Sequence, residues 1–249
     1  MAIIPSGLPT ADTTGVPNGT NLQTYNGTLV VTTDNAVIDG LLINGNVVIE
    51  ANNVTLRNVK IVSGTPWHAV YIPDGYSGFT LVDSEIDGRG NTDNGVLGAG
   101  TFLRNDIHGV DNGINTWGTA TTPTLIQDNY IHDLKGGSDA HYDGIEINGG
   151  SNIKIIHNTI INDYGQTSAI MLDNYFGGLS DILIDGNFLV GGGYTVYLDG
   201  RFGGGAVNDA SIRITNNQII KGYWGPFAFY DDNPVQSGNV VNSVPVDGS

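Results

Sequence analysis

Eight side chains in this sequence have the types and spacing that acid–base chemistry needs: Lys135, His141, Tyr142, Glu146, Asp173, Tyr197, Asp199 and Arg201. Surroundings can move the pKa of His, Tyr or Lys toward a working pH, which makes His141, Tyr142, Tyr197 and Lys135 candidate proton donors or acceptors. Asp173, Asp199 and Asp231 follow three short apolar strands at what reads as one shared position. Stacked ~4.8 Å apart, such carboxylates repel, so either one keeps a proton or a cation bridges them. Asp173 with Asp199 is therefore a candidate calcium site, and Arg201, two residues beyond Asp199, is the alternative source of positive charge. Glu146 is a lone acid where equivalent positions hold Tyr71, Leu97, Asn115, Met171, Tyr197 and Phe229. It reads as a functional group or as an ordinary solvated glutamate. Candidate binding contacts beside these groups are Tyr71, Asn115, Asn148, Tyr175, Phe229 and Asp231.

A repeat positions them. An apolar residue, an anchor three positions on and Ile or Leu two further recur as Leu56/Val59/Ile61, Leu81/Ser84/Ile86, Phe102/Asn105/Ile107, Ile126/Asn129/Ile131, Ile155/Asn158/Ile160, Ile184/Asn187/Leu189 and Ile214/Asn217/Ile219. Ile38/Leu41/Ile43 adds a shorter turn upstream. Anchor spacings of 21 to 30 residues indicate stacked units. Period-two runs such as Ile153-Lys154-Ile155, and second runs such as Ile145-Glu146-Ile147 and Val196-Tyr197-Leu198, predict short strands. No window holds apolar residues at helical spacing. The expectation is an all-β chain of one domain, residues 1–249: a right-handed parallel β-helix of about eight coils. Residues 1–23 would be a capping arm over the first coil and residues 233–249 a capping tail, because an open solenoid end leaves strand edges unpaired.

The Asn anchors are expected at sharp turns, where Asn tolerates left-handed backbone and its side chain bonds a neighbour one coil away. Asp143-Gly144 shares its register with Asn94-Gly95 and Asn112-Gly113, so Asp143 reads as a recurrent strand entry. His141 and Lys135 fall in the longest loop, and His108 and His132 on another side, stacked or solvated.

Composition narrows the partners. A formal charge of −16 from 25 acidic and 9 basic residues excludes the cationic clusters that nucleic acid requires. The acidity fits either a calcium-rich setting or a need for solubility. With no cysteine there are no disulfides and no Cys-bound zinc. No apolar run is long enough to cross a bilayer, and Met-Ala-Ile-Ile-Pro does not open a usual signal peptide.

On its coil pattern, its Asn ladder and its aromatic and acidic strand face, the chain resembles the pectate lyase superfamily of parallel β-helices. Its His141-Tyr142-Asp143-Gly144 and Leu172-Asp173-Asn174-Tyr175 are closest to the mannuronan C-5 epimerase modules. The Tyr-Gly-Phe-Asp-Pro-His run of those epimerases is missing, as are the Gly-His-Gly and Arg-Ile-Lys elements of polygalacturonases. The resemblance implies a secreted enzyme acting on an acidic polysaccharide, one that removes the proton α to a uronate carboxylate as a lyase or C-5 epimerase, either alone or as a module of a larger protein. Tyr71, Tyr197 and Phe229 would then be stacking platforms for sugars. Two alternatives stay open. Glu146 and Asp173, with origins ~8 Å apart, suit an inverting glycosidase, and a non-catalytic carbohydrate-binding solenoid fits the same face.

Overall fold

The computed structural model describes residues 3–242, which are strands, turns and two short 3-10 segments. Each repeat forms one coil of three strands, as in Gly150–Ile156, Thr159–Asn162 and Ile170–Asp173. Successive coils pair in parallel, giving three flat walls around one core. The first wall is a nine-stranded sheet, and the other two walls merge into one 17-stranded sheet. They merge because Glu85–Leu97 and Asp106–Asn115 run round the corner without a break. Eight complete coils are flanked by Gln23–Asn26 and Leu29–Val31 at one end and by Val235–Ser237 and Val240–Asn242 at the other.

The inward residues stack in register. Ile126, Ile155, Ile184 and Ile214 lie one above another in the first wall, all fully buried. Burying each such side chain contributes roughly 1.5–3 kcal/mol, and the period-two alternation sends their neighbours, such as Lys154 and Arg213, outward. One apolar core runs unbroken from Val31 to Ile219.

The anchors form the ladder the repeat predicts. Asn105 Nδ2 donates to Asn129 Oδ1, Asn129 to Asn158, Asn158 to Asn187, Asn187 to Asn217 and Asn217 to Asn239, each at 2.9–3.0 Å. Each anchor's Oδ1 also accepts the main-chain N–H of the anchor before it, so a buried corner leaves no amide unpaired. The left-handed residue is not the anchor itself. It is the residue before it: Asn58, Asp83, Arg104, Asp128, His157 and Asn216 all have φ between 50° and 57°. The backbone reverses there, which frees the following Asn to point into the corner. His132 stacks on Tyr130 at 3.9 Å and bonds Asp106 Oδ1 at 2.8 Å, as expected of a partly covered outer row.

The N-terminal end segment differs from expectation. The N-terminal arm does not cap the first coil but runs down the outside of the second wall. Its Ile4 and Leu8 pack against Tyr130, Ile161, Phe188, Val190 and Ile220, several coils away. The N–H of Gly15 donates to the Arg104 carbonyl at 2.9 Å. There φ is +77°, and a Cβ would sit 3.0 Å from Asp106 Cβ, so a side chain would hold the arm off the wall. The cause is the outward apolar patch of Ile161, Phe188 and Val190, which the arm removes from water. At the other end, the tail continues the helix through Val240–Asn242, and the rest of the expected capping tail, residues 243–249, lies outside the described residues.

Candidate functional site

The third wall carries the candidate residues. Pairing places Tyr71, Leu97, Asn115, Glu146, Met171 and Tyr197 in a single outward row, as the strand alternation predicts. The next coil departs from it. In Gly225–Tyr230 the residue opposite Tyr197 is Ala228, while Phe229 lies opposite Leu198 and packs against the core. Phe229 is therefore not an outward platform. Asp231 is not in the aspartate ladder either, since Tyr230 stands opposite Asp199 and Asp231 follows the strand with φ 64°. Phe227-Ala228-Phe229 places an apolar residue inward in either phase, so residue type alone leaves the register of that strand undetermined.

In the middle coils the carboxylates converge. Glu146 Oε2 accepts from Asn115 Nδ2 at 2.6 Å and Asn112 Nδ2 at 3.0 Å, and Oε1 accepts from Asn148 Nδ2 at 3.1 Å. The same Asn148 nitrogen donates to Asp173 Oδ2 at 2.9 Å. Asp143, at the strand entry beside Glu146, is 3% exposed and takes a 2.5 Å hydrogen bond from Ser168 Oγ. Burial pushes Asp143 well above the usual carboxylate range, with the charge of Glu146 adding to the shift. Burial also raises Glu146, reinforced by Asp173 and Asp111, and raises Asp173, reinforced by Asp199. Three neighbouring acids thus hold their protons more tightly than free carboxylates do.

Asp199 behaves oppositely. Arg201 Nε and Nη2 hold its two oxygens at 2.8 and 2.7 Å, and that clamp lowers its pKa. The guanidinium also lies 3.8 Å over the Tyr230 ring. Arg201 thus neutralises one of the two stacked aspartates. With both Asp199 oxygens engaged, Asp173 and Asp199 do not offer the open oxygen set a calcium ion takes. Among the described residues no group of three His, Cys, Asp or Glu side chains has metal-site geometry.

Asp111 is buried, and its Oδ1 accepts the main-chain N–H groups of His141 at 2.9 Å and Tyr142 at 2.7 Å. It fixes the start of the strand and leaves the His141 side chain exposed at the rim. Tyr142, at φ 65°, stacks on Tyr164 with centroids 3.6 Å apart. Tyr197 is 8% exposed, and burial raises its pKa to about 12. Lys135 lies apart from this group, its aliphatic stem covering Gly90 at the corner of an earlier coil. Tyr71 stands in the same row, three coils before Glu146 and outside the cluster. Tyr175 is exposed beyond the far strand ends, edge-on to Phe176 and Phe202.

A cleft of about 800 Å³ opens where these strands end. Asn115 and Asn148, both bonded to Glu146, line it together with Trp117, Phe176, Leu97 and Asp74. The spacing of candidate residues in the sequence singles out neither this cleft nor Asp111. A signal for Asp111 does exist: Asp93-Asn94-Gly95 and Asp111-Asn112-Gly113 repeat one strand entry.

The fold defines the class, a parallel β-helix. No family model matches the chain, and no curated protein matches it. Among solved structures the chain is similar in fold to the A-module of the mannuronan C-5 epimerase AlgE6 of Azotobacter vinelandii, with 14% identity and a TM-score of 0.57. The match covers 88% of this chain and 59% of that one, so this chain spans well under two thirds of that module. The AlgE4 A-module of the same organism (14% identity, TM-score 0.42, 90% of this chain and 87% of that one) carries no further weight. Nor does an alginate lyase from Paenibacillus sp. str. FPU-7 (12%, 0.38, 92% and 95%).

Proposed function

We propose that this protein is a secreted polysaccharide-active enzyme that removes the proton α to the carboxylate of a uronic acid residue, acting as a lyase or C-5 epimerase. The observation that carries this reading is the row of proton-retaining acids, Asp143, Glu146 and Asp173, beside an open cleft and below the exposed His141. A uronate carboxylate arriving beside Glu146 or Asp173 is a like charge, so it raises their pKa further, and a shared proton then neutralises it. That neutralisation acidifies the adjacent C–H. His141, reaching in from the rim, takes the proton. Tyr197, held protonated, donates one either to the departing glycosidic oxygen or to the opposite face of the sugar carbon. The first outcome is elimination, the second epimerisation. Arg201 supports the site by keeping Asp199 ionised and occupied. No step requires calcium, and a chelator is expected to leave the rate unchanged. Secretion, in a longer polypeptide or alone, is part of the same proposal, since the substrate is an extracellular polymer.

The inverting glycosidase fits less well. Asn148 bridges Glu146 and Asp173, bringing the bridged oxygens within ~6 Å of each other, short of the roughly 6.5–9.5 Å that leaves room for a water.

The test is solvent deuterium exchange at the α-carbon of uronate polysaccharides, followed by NMR and by the ultraviolet absorbance of unsaturated products. Either deuterium at the α-carbon (epimerase) or unsaturated ends (lyase) should appear with the native protein, and their rate should fall at least about 100-fold with Glu146→Gln. New reducing ends with neither deuterium nor unsaturation would mean hydrolysis. Binding without any turnover would mean a carbohydrate-binding module. Either result overturns the proposal.

A further inference from the structure

The cleft beside Glu146 has no positive charge. Of the nine Lys and Arg residues none lines it, and its one ionisable lining residue is an acid, Asp74. Arg57, Lys60, Arg104 and Arg201 are each paired with a carboxylate, Lys135 covers Gly90, and Lys154 and Arg213 project from the first wall. A second uronate in this cleft would meet Asp74 with no counter-charge, inside a protein of charge −16. The remaining lining has the opposite character. Trp117 and the 80% exposed Phe176 provide ring faces, Asn115 and Asn148 provide amides, and Gly177, whose missing Cβ would face open space, lets a ring approach the main chain. Flat apolar surface plus a few convergent polar groups is what an uncharged sugar ring requires.

We infer that this cleft holds a neutral sugar residue next to the uronate being processed, so that the substrate is a mixed polymer in which uronates are separated by uncharged sugars. The inference rests on the uronate chemistry proposed above and narrows its substrate class. The cleft and the carboxylate row share Asn115 and Asn148, which places the two sugars on one chain. Phe176, at the mouth, is a binding residue, and its loss acts on KM and not on the proton transfer.

The experiment compares turnover, read as α-carbon deuteration or as unsaturated ends, on hyaluronan and gellan, whose uronates are separated by uncharged sugars, with turnover on polymannuronate. It uses the native chain, Phe176→Ala and Asp74→Lys. The expected result is a kcat/KM at least about tenfold higher on the mixed polymers. Phe176→Ala should raise KM on them severalfold with kcat held, and Asp74→Lys should narrow the preference. Equal or better use of polymannuronate, or a KM indifferent to Phe176→Ala, overturns the inference while leaving the uronate chemistry intact. If no uronate polymer shows exchange or unsaturation, the proposed function fails, and calorimetric titration with cellotetraose decides the cleft separately. Binding that Phe176→Ala abolishes supports a neutral-sugar site, and absence of binding sinks it.

Discussion

Arg201 grips Asp199 from two residues away with both ends of its guanidinium, Nε to Oδ1 at 2.8 Å and Nη2 to Oδ2 at 2.7 Å. One coil back, Asp173 has no such partner and depends on the Asn148 amide and the Tyr175 N–H. Two stacked aspartates are thereby driven in opposite directions, one toward the anion and one toward the acid, a division of roles that catalytic carboxylate pairs use.

Arg201→Gln should therefore disturb both aspartates. Asp199 loses its clamp and its titration moves up, and the pair then shares protons in coupled steps. Carbon-detected NMR of the aspartate carboxyls checks this directly. Turnover is expected to fall about tenfold or more, short of the roughly 100- to 1,000-fold lost when a donor to the reacting oxygen itself is removed, because Arg201 acts through Asp199. An unchanged Asp199 titration would show that the clamp has no electrostatic consequence.

Asp143→Asn separates stability from activity. Burial raises the Asp143 pKa in the folded chain, so the fold binds this proton more tightly than the unfolded chain does. The stability from that proton is complete below the unfolded value, near 3.9, and is lost as pH rises from there through the folded value. At neutral pH the native carboxyl is thus a burden that Asn, still able to accept from Ser168 Oγ, does not carry. Thermal melts should show Asp143→Asn more stable than the native chain at pH 7, with the difference closing toward pH 3. Turnover should drop at the same time. A melting temperature lowered at pH 7 would contradict the assignment.

Asn158→Ala tests the ladder. Its side chain donates to the Ile126 and Ile156 carbonyls and to Asn187, and accepts both the N–H and the amide of Asn129. Removing it leaves several buried main-chain groups unpaired, so a loss of about 3–5 kcal/mol is expected in urea unfolding. Asn239→Ala, at the part-buried end of the ladder, should cost about a third as much. Equal losses would mean that the amides act singly and not as a stack.

The repeat was legible because inward Ile, Leu and Val and the Asn anchors are dictated locally, and the row from Tyr71 to Tyr197 follows from strand alternation alone. The register of Gly225–Tyr230 was not legible, since aromatic residues flank Ala228 on both sides. Asp143 reads in the sequence only as a recurrent strand entry, because its position matches Asn94 and Asn112. What distinguishes it is burial beneath Ser168, a contact made 25 residues further along. The Asn148 bridge, absent from any spacing argument, replaces the imagined gap between Glu146 and Asp173. Ile4 and Leu8 give no warning either, because a few scattered apolar residues in a polar stretch have no period to read.

A solenoid whose units touch only their neighbours can fray from either tip, one unit at a time. The strip from Ile4 to Gly15 breaks that rule, for it ties the chain's beginning to Phe188 and Val190 and staples distant units together. Melting of the early coils must then peel this staple away from the late ones. Cooperativity that a one-dimensional stack would lack is restored by a dozen residues of otherwise unpatterned chain.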